Sequence, residues 1–176
     1  IVARADVTDA NRDDDNVWYR LGACSGKLNY VSGDLFEKTG ISTSACGADG
    51  NYSLFVNATD LAGNLKEENI SITIDNTAPV ISIIKPLVDE DIGADIYEIE
   101  AQITEVNHDH TMYKVDSGTF VDMTCTDVGG SLHNCTYQMN TTTLDDGSHV
   151  LYIKSFDKAG ASTQVSRSFN IDKKPP

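Results

Sequence analysis

A chain of 176 residues has room for one large domain or two small ones, and 40% apolar with 23% charged residues is the composition of a folded protein rather than a disordered one. Its 27 acidic against 13 basic residues leave a net charge of −14, which disfavours nucleic acid and docking on anionic lipid. The longest apolar stretch, residues 80–84, is far too short to cross a bilayer, so no membrane contact is expected within these residues.

In chain order, a strand is expected over residues 3–7, followed by an acidic loop in which Asp6, Asp9, Asp13, Asp14 and Asp15 crowd together. Strands follow over 18–21, 52–59 and 69–74. In the last two, Tyr52, Leu54, Val56 and Ala58, then Ile70, Ile72 and Ile74, alternate onto one face. Further strands are expected over 80–84, 97–104, 112–115, 149–156 and 165–171. Turn signals punctuate them at Asp49-Gly50, Ala62-Gly63-Asn64, Asp116-Ser117-Gly118 and Asp146-Gly147. Helix signals are nearly absent. Short alternating strands, about seven per hundred residues, imply an all-β fold of antiparallel sandwiches.

The strands are written twice. Asp49-Gly50-Asn51-Tyr52 through Asp60-Leu61-Ala62-Gly63 recurs 97 positions later as Asp146-Gly147-Ser148-His149 through Asp157-Lys158-Ala159-Gly160. Upstream, Ala5-Asp6-Val7-Thr8 lines up with Ala101-Gln102-Ile103-Thr104 at an offset of 96, and Tyr19-Arg20-Leu21 with Tyr113-Lys114-Val115 at 94. The centres, residues 22–46 and 117–144, do not align. A period near one hundred residues is that of a whole small domain, so domains are expected over 1–75 and 80–172, joined by a linker at 76–79, with a further linker beginning at 173–176. The first copy has no counterpart of residues 80–84. Two explanations are open, a segment of a longer protein or a strand supplied by a neighbouring molecule. The expected reading is a segment whose signal and anchor lie outside these residues.

Cysteines fall two per copy, Cys24 with Cys46 and Cys125 with Cys135, without the close spacing of a zinc or redox motif. Intradomain disulfides are expected, with reduced buried thiols as the alternative. Five Asn-x-Ser/Thr sequons stand at Asn51, Asn57, Asn69, Asn134 and Asn140. Strand alternation turns Asn51, Asn57 and Asn69 outward, where a glycan fits, and the alternative is accidental sequons on polar faces. Together the two signals imply an extracellular protein carrying N-linked glycans.

Asp-Gly-x-Tyr, an alternating strand, Asp-x-Ala-Gly-Asn, a second strand and Ile-Asp-Asn-Thr-Ala-Pro, as they stand between Asp49 and Pro79, resemble the last strands and linker of tandem Ig-like repeats in bacterial and archaeal surface proteins. The second copy departs from that pattern at His149, Ala161 and Lys173-Lys174-Pro175-Pro176. The resemblance implies two tandem Ig-like antiparallel β-sandwich domains. In that topology the acid collects at the domain junctions. Calcium is thus a possible cofactor through Asp75, Asn76, Glu105, Asn107, Asp109 and Asp157 at one junction, and Asp9, Asn11, Asp13, Asp15 and Asp60 at the other, against solvated acidic loops.

His108-Asp109-His110 reads as surface loop rather than a zinc site, and Trp18, Tyr19, Tyr30 and Phe36 as core rather than a sugar-stacking platform. No nucleophile elbow, metalloprotease helix or phosphate loop is present, and no enzyme is expected. The resemblance implies a structural spacer of a surface layer, sheath, filament or adhesin stalk at the cell surface, archaeal more naturally than bacterial. Its partners would be neighbouring domains of one long chain and copies of itself in a surface assembly. The alternatives are a carbohydrate- or receptor-binding adhesin module and an accessory domain of a secreted hydrolase.

Overall fold

The computed structural model describes residues 1–174, and the expected linker residues Pro175 and Pro176 lie outside them. Internal contacts part the chain after Asn76. In unit 1 the strands are β1 (Ala3–Asp6), β2 (Arg12–Leu21), β3 (Cys24–Lys27), β4 (Asn29–Ser32), β5 (Leu35–Lys38), β6 (Gly50–Asp60) and β7 (Leu65–Ile74), with a one-turn helix α1 (Thr43–Cys46). They form two antiparallel sheets, ordered β1-β5-β4 and β3-β2-β6-β7.

Alternation explains which face closes. On β2, Val17, Tyr19 and Leu21 are buried while Trp18 and Arg20 are exposed, the period of two that places one side of a strand against a core. Leu28, Phe36, Ile41, Leu54 and Ile74 complete that core. Trp18 and Tyr30 are exposed, which corrects the expectation that they pack inside: Trp18 stands at an outward position of β2, and Tyr30, though it shares the face of its partner Phe36, lies on the edge strand β4. Gly22 has φ +54°, and a side chain there would put its first carbon 2.2 Å from the Cys46 carbonyl oxygen. Only glycine fits a left-handed backbone at so close an approach.

Unit 2 contains β8 (Val80–Lys85), β9 (Glu90–Ile92), β10 (Ile96–Thr104), β11 (His108–Val115), β12 (Val121–Asp122), β13 (Thr124–Gly129), β14 (Leu132–Asn140), β15 (Gly147–Asp157) and β16 (Ser162–Ile171). Its sheets are ordered β13-β14-β10-β8 and β12-β11-β15-β16-β9, antiparallel except where β9 runs parallel to β16. Between them lie Ile99, Ala101, Ile103, Cys135, Leu151, Ile153, Phe169 and Ile171. Both units are all-β sandwiches with the Ig-like arrangement.

The repeat sets the equivalences: β1 matches β10, β2 matches β11, β6 matches β15 and β7 matches β16. The sheets then show that β3, β4 and β5 occupy the places of β12, β13 and β14. Central segments without alignable sequence therefore share one topology. Two further expectations are corrected. Residues 12–16 belong to β2 instead of a loop, displaced as a bulge between the Arg12–Asp60 and Val17–Ala58 pairs so that their carboxylates stay in water. His108-Asp109-His110 opens β11 and pairs with β15, with the His110 ring stacked on Phe156.

Candidate functional site

The acidic residues of unit 1 gather around Arg12. Its guanidinium donates to the Val7 carbonyl at 2.8 Å, to Asp34 at 2.8 Å, to the Gly33 carbonyl at 3.0 Å and to Asp14, and lies 5.0 Å from the Phe36 ring centroid. These bonds join the loop after β1 to the β4–β5 turn. Neighbouring carboxylates are engaged locally. Asp9 accepts from the Asn11 amide, Asp13 accepts from the Asp15 amide and the Asn16 side chain, and Asp15 accepts from Lys27.

Asp60 sits opposite Arg12 and caps its own turn. One oxygen accepts the backbone N–H of Ala62 and Asn64, at 2.9 and 2.8 Å, and the other accepts the Asn64 side chain at 2.8 Å. Those donors, the Asn64 side chain first and its amide second, hold the Asp60 carboxyl below the usual range. Asp-x-Ala-Gly-Asn is thus a turn whose aspartate and asparagine satisfy each other. At the opposite end of unit 1, Asn76 donates its amide N–H to Asp49 at 2.6 Å and accepts from the Thr43 hydroxyl at 2.7 Å, and Asp75 follows the last residue of β7.

In unit 2 the segment between β10 and β11 meets the β15–β16 turn: Lys158 donates its N–H to the Asn107 carbonyl and His108 pairs with Asp157. Glu105 and Asp157 are only 7% and 3% exposed, far from the solvated acids expected. Glu105 accepts the Asn107 amide at 2.9 Å, and Asp157 accepts the Ala161 amide at 2.8 Å through Oδ1. Asp157 Oδ2 is buried with no hydrogen-bond partner, a feature buried carboxylates rarely show. Asp109 is occupied by His110 at 2.8 Å.

The cysteines are joined as Cys24–Cys46 and Cys125–Cys135, one bond in each unit, and no free cysteine remains. His108 comes within 4.8 Å of both sulfurs of the second pair and stacks on His133 at 4.5 Å. Burial, then the neighbouring His133, lowers its pKa. With both sulfurs bonded to each other, that cluster offers no thiolate.

Among the sequon residues Asn51, Asn69 and Asn140 are exposed, while Asn57 and Asn134 are half-buried. Asn140 accepts both the amide and the hydroxyl of Thr142, at 2.9 and 2.7 Å, so its sequon is already folded into an Asx turn. Asn51 accepts from Thr73 across the β6–β7 pair at 2.9 Å. The Asn134 side-chain oxygen is enclosed without a partner, which no sequence pattern announced.

No family model matches the chain, and no curated protein matches it. Solved structures similar to it include the fibronectin(III)-like modules of Clostridium thermocellum CbhA, at 14% identity and TM-score 0.49, covering 97% of this chain and 85% of that one. A tetra-tandem repeat in the extending region of a large adhesion protein is 19% identical with TM-score 0.44, covering 93% and 43%. An endo-beta-1,4-mannanase from Thermotoga petrophila is 17% identical with TM-score 0.46, covering 57% of this chain and only 21% of the mannanase. At such identities and scores the similarity transfers neither ligand nor activity, and the sandwich architecture stands on its strand pairings.

Proposed function

We propose that this chain is a non-catalytic structural segment of an extracellular surface protein, a glycosylated spacer built from sandwich units. The observation that carries the reading is the repeated topology: two units that share the order of seven strands, each with its own disulfide. Disulfides of this kind persist in oxidising compartments, and loops of these sizes stabilise the folded state by about 3 kcal/mol each through the unfolded chain. N-linked glycans at Asn51, Asn57, Asn69, Asn134 and Asn140 belong to the same reading, with the exposed, Asx-turned Asn140 the best presented. Glycopeptide mass spectrometry on protein from its native cells tests it. Occupancy at Asn140 and Asn51 is expected; unmodified asparagine at all five sequons would sink the extracellular glycoprotein assignment.

Calcium is proposed for unit 2 rather than unit 1. Asp157 Oδ2 has no donor, whereas Asp60 has both oxygens filled and Asp15 is paired with Lys27. A cation replaces missing donors more readily than it displaces satisfied ones. Millimolar calcium is expected to raise the unfolding temperature of unit 2 and leave unit 1 unchanged, as reported by Trp18, the single tryptophan. A titration that moves neither unit removes calcium from the proposal.

A further inference from the structure

Unit 1 has an open side where unit 2 has a strand. Strand β10 pairs with β14 on one edge and β8 on the other, whereas β1 pairs with β5 alone among the described residues. Beside the unpaired edge of β1 lies a groove of about 360 Å³, bounded across the sandwich by β6 and β7.

Its floor is made of core positions left uncovered. Ala5 on β1, Val7 just after it, and Val56 and Ala58 on β6 are only half-buried and line the groove. Their equivalents in unit 2, Ala101, Ile103, Ile153 and Ser155, are all fully buried. The difference is β8, which lies against β15 and β16 and brings Ile83 to 8% exposure. Arg167 on β16 clasps it by donating to the Ile83 carbonyl at 2.7 Å and the Pro86 carbonyl at 3.0 Å. Ile70 stands at the place of Arg167 in unit 1 and is 61% exposed.

Backbone direction agrees. Val7 donates its N–H to the Asp34 carbonyl on the β5 side, so alternation turns the N–H groups of Arg4 and Asp6 toward the groove edge. Charge adds a further constraint. In unit 2, Lys85 at the end of β8 meets Glu98 at 3.0 Å and Glu100 at 3.3 Å. Glu100, paired in register with Lys85, corresponds to Arg4, so the sign at that place is reversed in unit 1.

We propose that this groove is a strand-accepting site. It takes one extended polypeptide segment from outside residues 1–176, antiparallel to β1, with aliphatic side chains at alternate positions over Ala5 and Val7 and a carboxylate opposite Arg4. Main-chain bonds to Arg4 and Asp6 supply the pairing, and burial of the aliphatic column supplies the driving force. A second copy of the chain is a poor donor. The strand that fills this place in unit 2, β8, would have to leave the Arg167 clasp and expose Ile83.

The test uses the full 176-residue chain and a synthetic peptide of residues 79–86 carrying Lys85→Glu. Amide hydrogen exchange is read by NMR. At about ten times the peptide's Kd, exchange at Arg4 and Asp6 is expected to slow about tenfold. The peptide with Lys85 retained binds a few-fold more weakly, and one carrying Ile81→Asp in addition to Lys85→Glu gives no protection. Unchanged exchange at Arg4 and Asp6 with every peptide overturns the site, as does equal protection by the Ile81→Asp peptide. Protection without any peptide, accompanied by a concentration-dependent dimer in sedimentation, assigns the groove to a second copy and overturns the outside source.

Discussion

His149 replaces the tyrosine of the first copy and does a different job there. Its Nδ1 lies 2.7 Å from Asp116 and its Nε2 lies 2.8 Å from the Asp145 carbonyl, while Asp116 also accepts the Val150 amide at 2.8 Å. Burial works against the charged ring, but the bonds to Asp116 and Asp145 outweigh it and raise the His149 pKa. Burial likewise pushes the Asp116 carboxyl up, and the His149 and Val150 donors bring it below its usual range. A histidine whose pKa rises on folding adds stability that is complete below its unfolded value, about 6.5, and fades as pH climbs through the folded value. Asp116 acts in the opposite sense: its contribution holds above its unfolded value, about 3.9, and is lost as pH falls through the folded one. His149→Gln is therefore expected to cost unit 2 on the order of 1 kcal/mol at pH 5.5, discounted for the solvent around Asp116, and clearly less at pH 8. Thermal melts of both proteins across that range check it, and a pH-independent difference would refute the ionic role.

Strands with aliphatic alternation were legible in the sequence, and strands with polar outer faces were not. β6, β7, β15 and β16 appear in the expected places because Tyr52, Leu54 and Val56, or Leu151 and Ile153, mark one face while Asp60 and Asp157 mark the turn. β14 lacks that aliphatic mark: His133, Cys135, Tyr137 and Met139 alternate, but none is a branched aliphatic and Asn134, Thr136, Gln138 and Asn140 between them are polar. Arg12 and Arg167 had no signal at all: each is a lone basic residue whose role comes from carbonyls brought close by the fold. The placement of the acid was half legible. Loops around Asp60 and Asp157 do gather carboxylates, but burial of Glu105 and Asp157 depends on contacts that no local pattern encodes. Arg167 offers a test of how β8 is held. Arg167→Leu removes two charge-assisted bonds and is expected to destabilise unit 2 by about 1–3 kcal/mol, with β8 amides exchanging faster than those of β14. Uniform acceleration across both sheets would show that the clasp is not local.

At the scale of the whole chain, the disulfides set how far a pulled molecule can lengthen. Cys24–Cys46 encloses a separation of 22 residues and Cys125–Cys135 one of 10, and neither segment can extend while its bond is intact. Stretching from the ends is expected to give two unfolding events, and a reductant to lengthen them by about 75 Å and about 35 Å at 3.3–3.6 Å per residue. Single-molecule force spectroscopy reads both steps; a reductant that leaves them unchanged would refute the intradomain bonds. The shared strand order of the units, set against central segments that do not resemble each other, bears on how such a chain is made. Adjacent domains with matching sequences exchange strands while they fold and become trapped in mixed assemblies. Here β3, β4 and β5 differ in sequence from β12, β13 and β14, although each set occupies the same places in its sandwich. One blueprint worded differently from bead to bead works against exchange of these middle strands between newly synthesised units, so that divergence there serves fidelity of assembly.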